Sequence, residues 1–582
     1  MKKKTLATKL GAVVLSGIMV MSMAACGKDD AGSDSKADSQ QSEQQESSAE
    51  DPGESAEENS QASGEEAPEE GGQAEAPQIE DTTIKIRVMN EFRNLDKVLA
   101  KYEEMTADDP VMSKIHPEFA WVAGGDYKDK LTTAMIGQED FDLMFCGGWH
   151  GLSTFIQDGN FADLSSYFGN DAFPGLKNAF SEDFVQAMTS YIRQEDGSYQ
   201  KGIYGINLAT FYEDSRGFMY REDLRKKYDC APITDEASLL EFVKTVQENE
   251  EGMIGVSLWN FFRLDSPWYS AKHDHVYTQD NVNVLGDQTW IWVGLSEDEK
   301  TVLNAVVPGD SPEEFAKMPA GYQDDFITAY IQDRTKWNPY LNPNRGGTDT
   351  VEKPAAIAYS ALSEYESKVK TALETNPDEE YGFYVIEDAQ RNMEPGAVVC
   401  DMATNNWLVV PEWSEKTDAV MYFLDWMFGS QEAHDLFELG IEGEDWEAVG
   451  EDGYKKLDID ENLAYSMPTY SFTQNPTYIR VSEFVSENEE IKSRFDYMYD
   501  PSTYKLSPLA GFVFDTTNVE TQIANVSALS NELQLTISMY DADEAAEKIQ
   551  QWHEDATAVG LEEIRAELIS QIQAFLDAKN AN

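Results

Sequence analysis

The sequence predicts an α/β fold built on a mainly parallel sheet, and three features of its first third support this. Ile84, Ile86 and Val88 alternate with charged residues, as in a half-buried strand, and a stretch with helical apolar spacing follows. A second strand and a second amphipathic stretch repeat the pattern. Residues 141–146 then form a nearly unbroken apolar run that ends in glycines, which is typical of a strand buried on both faces. Parallel α/β sheets bind ligands at such strand-to-helix loops.

Further elements are predicted along the chain from the same periodicities. Thr234 is expected to cap a helix over 235–248, and Ser430 to cap one over 431–439 that Gly440 ends. The remaining predicted strands lie at 119–122, 381–386 and 407–410, a further helix lies at 418–428, and 353–360 reads as a strand, a turn and the start of a helix. A last apolar stripe must dock on another element, and its members are Leu561, Ile564, Leu568, Ile572, Phe575 and Leu576.

The N-terminus looks like a bacterial lipoprotein signal. Four lysines in the first nine residues precede an apolar stretch, 10–23, that is too short to span a bilayer comfortably. Ala24 and Ala25 before Cys26 fit a peptidase that cuts ahead of a cysteine, although Met23 stands where many lipoproteins have Leu. Residues 1–25 are therefore predicted to be removed and Cys26 to carry a lipid such as palmitate. An ordinary secretory signal with a chance cysteine is the less favoured alternative.

The segment after Cys26 is predicted to be a disordered acidic tether. Residues 27–81 contain eighteen Asp and Glu against Lys28 and Lys36, with almost no apolar residues. Such a segment cannot bury enough surface to offset the entropy of ordering, and its like charges repel one another. We therefore expect residues 26–81 to hold the folded part at the membrane while leaving it free to move.

Composition excludes several classes of function. The formal net charge is −64, so nucleic acid is a poor partner, and an anionic substrate is disfavoured without a local arginine cluster. Aromatic residues are plentiful, with 27 Phe, 27 Tyr and 12 Trp. Beyond Cys26, three cysteines remain: Cys146, Cys230 and Cys400. One disulfide could form, but three buried free thiols are favoured. No later apolar run approaches a transmembrane length.

Several short motifs, each weak alone, occur in order along the chain after the lipoprotein signal and the acidic segment. They are Gly-Gly-Asp-Tyr-Lys-Asp-Lys-Leu at 124–131, Phe-Asp-Leu-Met-Phe-Cys-Gly-Gly-Trp at 141–149, Tyr-Gly-Ile-Asn at 204–207, Lys-Pro-Ala-Ala-Ile-Ala at 353–358, and the helices of 423–437 leading to Gly-Ile-Glu-Gly at 440–443. Together they resemble an extracellular solute-binding lipoprotein of a carbohydrate ABC importer, a family 1 solute-binding protein. The C-terminal stretch 509–516 with 520–525 is similar to the tail domain of one large Gram-positive subfamily.

This resemblance implies a two-lobed, periplasmic-binding-protein-like fold of type II, with a central ligand cleft and hinge closure on the ligand. We expect lobe 1 to comprise 82–208 plus 382–440, and lobe 2 to comprise 209–381 plus 441–582. The implied function is capture of an oligosaccharide and its delivery to the permease subunits of an ABC transporter, by a monomer on the extracellular face of the cell membrane, without a cofactor or catalysis. A receptor of the same fold for peptides or another solute, and a lipoprotein glycoside hydrolase, are the alternatives.

Sugar recognition needs flat apolar side chains and polar groups that bond hydroxyls, and twelve residues are predicted to supply them. Trp149, in a Gly-rich loop after a buried strand, is the first choice, with packing under the next helix as its alternative. Most others have an equally plain structural alternative: helix capping for Asn90 and Glu91 (or Asn94), hinge packing for Tyr212 and Glu213, core packing for Trp259, Trp268 and Trp407, and solvation for Arg345. Asp126 and Tyr127 follow a glycine turn, and Tyr359 is placed in the loop after a strand at 356–358.

Catalytic and metal sites are not supported by the motifs. Carboxylate pairs are so frequent in this acidic chain that their spacing has no diagnostic value for glycoside hydrolysis. His273 and His275 flank Asp274, but no further ligand lies nearby at a zinc-like spacing, so a polar loop is favoured. Residues 458–461, Asp-Ile-Asp-Glu, lack the glycine and closing glutamate of a calcium loop. We therefore predict no bound metal.

Overall fold

The computed structural model describes residues 79–581, apart from residue 195 and ten further gaps: 210–213, 258–275, 279–290, 324–335, 342–353, 397, 401–405, 451, 461 and 538–541. The predicted signal, Cys26 and nearly all of the predicted tether lie outside the described residues. So do five of the predicted binding residues, Tyr212, Glu213, Trp259, Trp268 and Arg345, and the sequence His273-Asp274-His275.

Strands and helices alternate between residues 82 and 157, and the last three elements of the described chain are helices. The strands are β1 (Thr82–Met89), β2 (Ile115–Val122), β3 (Leu143–Gly147), β4 (Ser190–Arg193), β5 (Tyr199–Gly202), β6 (Ile206–Leu208), β7 (Arg216–Arg221), β8 (Ile254–Val256), β9 (Val276–Thr278), β10 (Trp292–Leu295), β11 (Val302–Val306), β12 (Ala355–Ala361), β13 (Tyr381–Val385), β14 (Val398–Cys400), β15 (Asn406–Val409), β16 (Trp446–Val449), β17 (Gly453–Lys456), β18 (Val481–Ser482) and β19 (Tyr504–Leu506). The α-helices are α1 (Leu95–Thr106), α2 (Gly124–Gly137), α3 (Leu152–Gln157), α4 (Pro174–Ala179), α5 (Glu182–Met188), α6 (Glu222–Lys227), α7 (Glu236–Asn249), α8 (Pro312–Phe315), α9 (Tyr365–Thr375), α10 (Asp388–Arg391), α11 (Thr417–Met427), α12 (Gln431–Glu438), α13 (Glu483–Ser486), α14 (Glu489–Tyr499), α15 (Glu520–Ile537), α16 (Ala542–Ala558) and α17 (Leu561–Asn580).

The first sheet has the strand order β2-β1-β3-β15-β6. β1 is parallel to both β2 and β3, as the sequence pattern predicts, whereas β15 pairs antiparallel with β3 and with β6. The core around this sheet, called the first core, is formed by apolar residues from 84–209 together with residues of β15, α11 and α12. All five residues of β3 are buried, which confirms the prediction of a strand covered on both faces.

Asp142, the polar interruption in the apolar run before β3, is buried and joins three parts of the chain. Its Oδ2 accepts the backbone N–H of Lys85 at 2.8 Å and the Lys416 ammonium at 3.0 Å, and its Oδ1 accepts the Ser414 hydroxyl at 2.8 Å. Because a buried carboxylate is stable only with such partners, Asp142 ties the returning segment before α11 to β1 and to the start of β3.

The second sheet has the order β13-β7-β12-β8 and lies in a separate core, called the second core. β13 pairs antiparallel with β7 over its whole length. This corrects the predicted lobe boundary at 381/382, because 382–385 belong to the second sheet rather than to the first. The boundary at 440/441 also shifts, since Tyr465, Met467 and Phe472 pack in the first core.

Two local predictions are corrected by capping and pairing. The helix predicted from residue 235 begins at Glu236, and its N-cap is Asp235, whose carboxylate accepts the Ser238 N–H at 2.8 Å; Thr234 does not cap it. β12 extends to Ala361, so Tyr359 lies within a strand opposite Phe218 and not in a loop after one. The predicted Ser430 cap of α12 is confirmed, with its hydroxyl accepting the Ala433 N–H at 3.1 Å.

The C-terminal helices α15, α16 and α17 pack on the second core. The predicted apolar stripe of α17 is confirmed, since all six of its members are at most 1 % exposed. Beside the stripe, the buried Asp310 carboxylate accepts hydrogen bonds from Arg565 at 2.7 Å and His553 at 2.8 Å. Burial alone would raise the pKa of Asp310, but these two hydrogen bonds, together with the charge of Arg565 and the Val307 N–H, hold the pKa below its usual value.

Cys146 and Cys230 are free thiols. Cys146 is buried, which raises the pKa of its thiol, whereas Cys230 is only half-buried and departs from the prediction of three buried thiols. Across the described part of the chain, no helix combines the length and the apolar character needed to cross a membrane.

Arg565→Ala should lower the free energy of unfolding by about 3–5 kcal/mol, because it leaves the buried Asp310 carboxylate without its guanidinium partner. Urea unfolding measures the difference. Lys492→Ala is the matched control, since it breaks an exposed ion pair with Asp496 and should cost at most about 1 kcal/mol. Equal losses for the two variants would contradict the role assigned to Arg565.

Candidate functional site

The candidate site lies at the edge of the first sheet where β1, β2 and β3 end. Parallel strands bring their carboxyl ends to one edge, and here the edge presents Asn90 after β1, Trp121 near the end of β2, and Trp149 after β3. The two indoles are large apolar side chains with unusual exposure, at 44 % for Trp121 and 51 % for Trp149. Asn90, Glu91 and Asp126 are exposed polar side chains at the same edge.

Asn90 connects the ends of the strands through its backbone and its amide. Its φ of 73° turns the chain sharply after β1, a conformation that asparagine tolerates better than most residues. Its N–H donates to the Val122 carbonyl at 2.8 Å, and its Oδ1 accepts the Gly124 N–H at 2.7 Å. The side-chain amide donates to the Tyr470 hydroxyl at 2.5 Å. Asn90 therefore shapes this edge. Asn94 stands at the N-cap position of α1, but its side chain makes no capping bond and donates instead to the Ala464 carbonyl at 2.7 Å.

The loop that carries Trp149 is held by buried groups beneath it. The Gly147 N–H donates to Nδ1 of the buried His150 at 3.0 Å, and the ring of His150 lies 5.2 Å from the rings of both Tyr127 and Trp149. Burial, with a smaller contribution from Lys128, lowers the pKa of His150 to about 4, so the imidazole is neutral and can accept this bond. The half-exposed indole thus stands on a rigid, buried support.

Gly147 permits the position of the indole. A Cβ at this residue would lie 2.8 Å from three ring atoms of Trp149, closer than real Cβ contacts come. The glycine run that follows β3 therefore has a packing reason, because it lets the indole lie against the backbone.

Two of the predicted binding residues are corrected by their burial. Tyr127 is fully buried, and its hydroxyl donates to the Phe145 carbonyl at 2.9 Å, so it supports the loop and has no surface for a ligand. Trp407 is 3 % exposed and lies in β15, so it has the packing role that was the alternative to ligand binding. Asn90, Glu91, Asp126 and Trp149 lie together at the edge, and Tyr359 lies in the second sheet against Phe218. Their contact with a ligand stays a prediction.

Sequence reasoning missed Trp121 and Tyr470. Trp121 could have been found from the sequence, because it is an aromatic residue near the end of the strand predicted at 119–122. Tyr470 had no local signal, because it comes from a turn 380 residues away from Asn90 and reaches the edge through a Ser471 hydroxyl bond to the Met89 carbonyl at 3.2 Å. Its ring stands 6.1 Å from that of Phe145.

The family model described as "Bacterial extracellular solute-binding protein" matches residues 94–434, more than half of the chain. The chain belongs to this family. A second model, described as a domain of unknown function (DUF3502), matches residues 508–577 of this solute-binding protein. The family resemblance drawn from the sequence motifs is therefore confirmed.

Relatives and solved structures agree with the family. A carbohydrate ABC transporter substrate-binding protein of Streptococcus pneumoniae is 21 % identical over 513 residues, which cover 84 % of this chain and 89 % of the relative. The crystal structure of the N-glycan transport solute binding protein NgtS from the same species has a TM-score of 0.62 at 18 % identity, covering 85 % of this chain and 99 % of NgtS. An HMO-binding, ABC-transporter-associated solute-binding protein from Bifidobacterium longum infantis has a TM-score of 0.52 at 12 % identity, covering 85 % of this chain and 99 % of that protein. The two-lobed α/β fold is confirmed by these likenesses.

Gly147→Ala should displace the Trp149 indole, because the added methyl group occupies the space of the ring. We expect a red shift and weaker emission of the tryptophan fluorescence that Trp149 contributes, measured as the difference from a Trp149→Phe variant. Gly137→Ala is the control, since the nearest atom to its Cβ lies 3.9 Å away. An unchanged Trp149 contribution in Gly147→Ala would contradict this geometry.

His150 should make folding stability depend on pH between about 4 and 6.5. The unfolded chain binds a proton at His150 below its ordinary pKa near 6.5, while the folded chain resists that proton down to a pKa of about 4. Stability should therefore fall as the pH drops through this window, by up to roughly 3 kcal/mol from this group. Urea unfolding at several pH values should show a shallower loss in His150→Gln than in a variant of the half-exposed His116; equal slopes would contradict the assignment.

Proposed function

We propose that this solute-binding protein captures a neutral oligosaccharide at the carboxyl edge of its first sheet and delivers it unchanged to the permease subunits of an ABC importer. The observation that carries the proposal is the half-exposed Trp149 indole on its buried support, with polar side chains beside it. An aromatic face exposed to water offers apolar area to the C–H side of a pyranose, and Asn90, Glu91 and Asp126 offer groups that bond hydroxyls.

The charge of the chain and the names of its relatives support this ligand class. A net charge of −64 repels anionic solutes, so a neutral sugar is favoured over a uronate or a phosphorylated solute. Crystal structures of NgtS contain Man5GlcNAc and Man1GlcNAc, and the pneumococcal relative is a carbohydrate ABC transporter substrate-binding protein. Man5GlcNAc is therefore the first sugar to test.

We extend the proposal to the arrangement of the chain at the cell surface. Cys26 carries the lipid, residues 27–78 form the tether, and the folded part acts as a monomer on the extracellular face of the membrane. The tether ends before residue 81, because Ile79 already packs against the first core. Lobe 1 is built on the first sheet and lobe 2 on the second, and the lobes close on the sugar by a hinge motion. Tyr212, Glu213, Trp259, Trp268, Arg345 and Tyr359 remain predicted contacts from the hinge and the second lobe.

A thermal-shift panel tests the ligand class. Man5GlcNAc, other neutral oligosaccharides, uronates and peptides are each added to the full chain, and a ligand at one hundred times its Kd should add about 2.7 kcal/mol of stability. We expect a neutral oligosaccharide to stabilise the protein. Stabilisation by peptides alone would overturn the carbohydrate assignment, and chromatography that shows cleavage of the bound sugar would favour a glycoside hydrolase instead.

Trp149→Ala should weaken the binding of the stabilising sugar about tenfold or more, as expected for a central aromatic contact. Isothermal titration measures the Kd. Ile136→Ala is the matched control, because Ile136 is 83 % exposed on α2 and away from the strand ends. Equal affinity of Trp149→Ala and wild-type protein would remove Trp149 from the site.

Cys26→Ser should abolish lipidation and release a protein that binds sugar normally but supports little uptake. Fractionation of cells locates the protein, and uptake of labelled sugar measures transport in a strain that lacks the wild-type chain. Full uptake with the released form would contradict the proposed anchor and tether.

A further inference from the structure

The C-terminal domain that matches a family of unknown function contacts both cores of the protein. Its helix α17 buries an apolar stripe in the second core, and Gln573 accepts the Val302 N–H from β11 at 2.9 Å. The domain also contacts the hairpin formed by β4 and β5. In the sequence this hairpin lies between α5 and β6, in the part of the chain that builds the first core.

The hairpin packs against both cores. Successive residues of a strand point to opposite faces, and here Ile192 packs in the first core while the adjacent Tyr191 packs in the second. The hairpin is also bonded to the first core by Gln157 of α3, whose side chain donates to the Arg193 carbonyl at 3.2 Å.

The contact with the C-terminal domain combines ring packing and hydrogen bonds. The Tyr191 ring meets the Phe575 ring edge-on, with centroids 5.0 Å apart and planes at 90°. The Tyr199 hydroxyl donates to the Gln571 carbonyl at 3.0 Å, and the Tyr191 N–H donates to the Gly511 carbonyl at 2.9 Å. Arg193 lies 3.7 Å from a carboxylate oxygen of Asp515.

Gly511 makes the close approach of the two backbones possible. Its φ is 85°, and a Cβ at this position would lie 2.2 Å from the Thr189 carbonyl oxygen. No side chain fits between the backbones at this point, so the contact depends on a glycine for both its backbone conformation and its spacing.

In sequence, this contact is close to the points where the chain passes between the cores. The hairpin directly precedes β6, from which the chain passes to β7, and Gly511 follows β19, which pairs in parallel with β14 on the segment that returns to β15. Groups close to a hinge axis move little when the bodies rotate about it. A contact at this position can persist through closure while it resists other relative motions.

We infer that the C-terminal domain, residues 508–577, functions as a non-covalent hinge clamp that grips the β4–β5 hairpin and restricts the relative motion of the two cores to one axis. The inference rests on the proposed function only in that the lobes must move to capture a ligand. It assigns a role to this domain that is independent of the identity of the sugar.

Single-molecule FRET on the sugar-free full chain tests the clamp. Fluorophores are attached through unnatural amino acids at Ile136 on α2 and Lys370 on α9, which are both exposed, so that the native cysteines are left unchanged. In Tyr191→Ala we expect a broader distribution of FRET efficiency with a lower mean than in wild-type protein. Tyr191→Phe, which keeps the ring contact, should restore the wild-type distribution.

Hydrogen exchange supplies the second measurement and the control. Tyr199→Phe, which removes one hydroxyl bond, should speed exchange of the hairpin amides roughly fivefold and broaden the FRET distribution slightly. Tyr228→Phe removes a hydroxyl bond to Glu250 inside the second lobe and should change neither. Faster exchange in the hairpin with an unchanged FRET distribution would overturn the clamp and leave only local packing. Because no sugar is added, a failed carbohydrate assignment would not affect these results.

Discussion

The insertion of β15 between β3 and β6 is the constraint on which the rest of the structure depends. β15 follows β3 by more than 250 residues, yet it forms antiparallel ladders with both of its neighbours, and Trp407, Leu408 and Val409 are buried. The first sheet is therefore complete only after the chain has left it, built the second sheet and returned. This order of assembly requires segments that cross between the two cores, and a hinge can form only where such segments run side by side.

The candidate site follows from the same sheet. The three parallel strands end at one edge, and the groups at their ends divide into a buried layer and an exposed layer. Tyr127, Phe145 and His150 form the support, and the indole of Trp149 lies on it with half of its surface in water. An apolar side chain held in this way loses little conformational entropy when a ligand covers it, which favours binding.

The C-terminal helices connect the two cores and so bear on how the cores move relative to each other. Their attachment to the second core is strong, with the buried Asp310–Arg565 pair and the apolar stripe of α17. Their attachment to the hairpin is narrower, with two tyrosine rings, two hydrogen bonds, a glycine and the ion pair of Arg193 with Asp515. A clamp near a hinge axis needs an extensive contact with one core and a limited contact with the other.

The sequence pattern predicted the strands β1 to β3, their parallel order, the α17 stripe and the position of Trp149, because each depends on local periodicity or on a glycine turn. It could not predict the depth of Tyr127, since burial there depends on His150 and Phe145 from a neighbouring strand and its loop. The place of residues 382–385 was missed for a similar reason: their ladder partner is β7, which lies more than 150 residues earlier. The position of Tyr470 and the packing of Tyr191 against the second core could not be predicted, because the partners of both residues lie hundreds of residues away in the sequence.

A crystal structure of the protein with bound Man5GlcNAc would test the central claim most directly. The account predicts a pyranose ring lying against the Trp149 indole at the carboxyl edge of the first sheet, with sugar hydroxyls bonded to side chains among Asn90, Glu91 and Asp126. A sugar bound elsewhere, with the Trp149 indole still exposed to solvent, would contradict it.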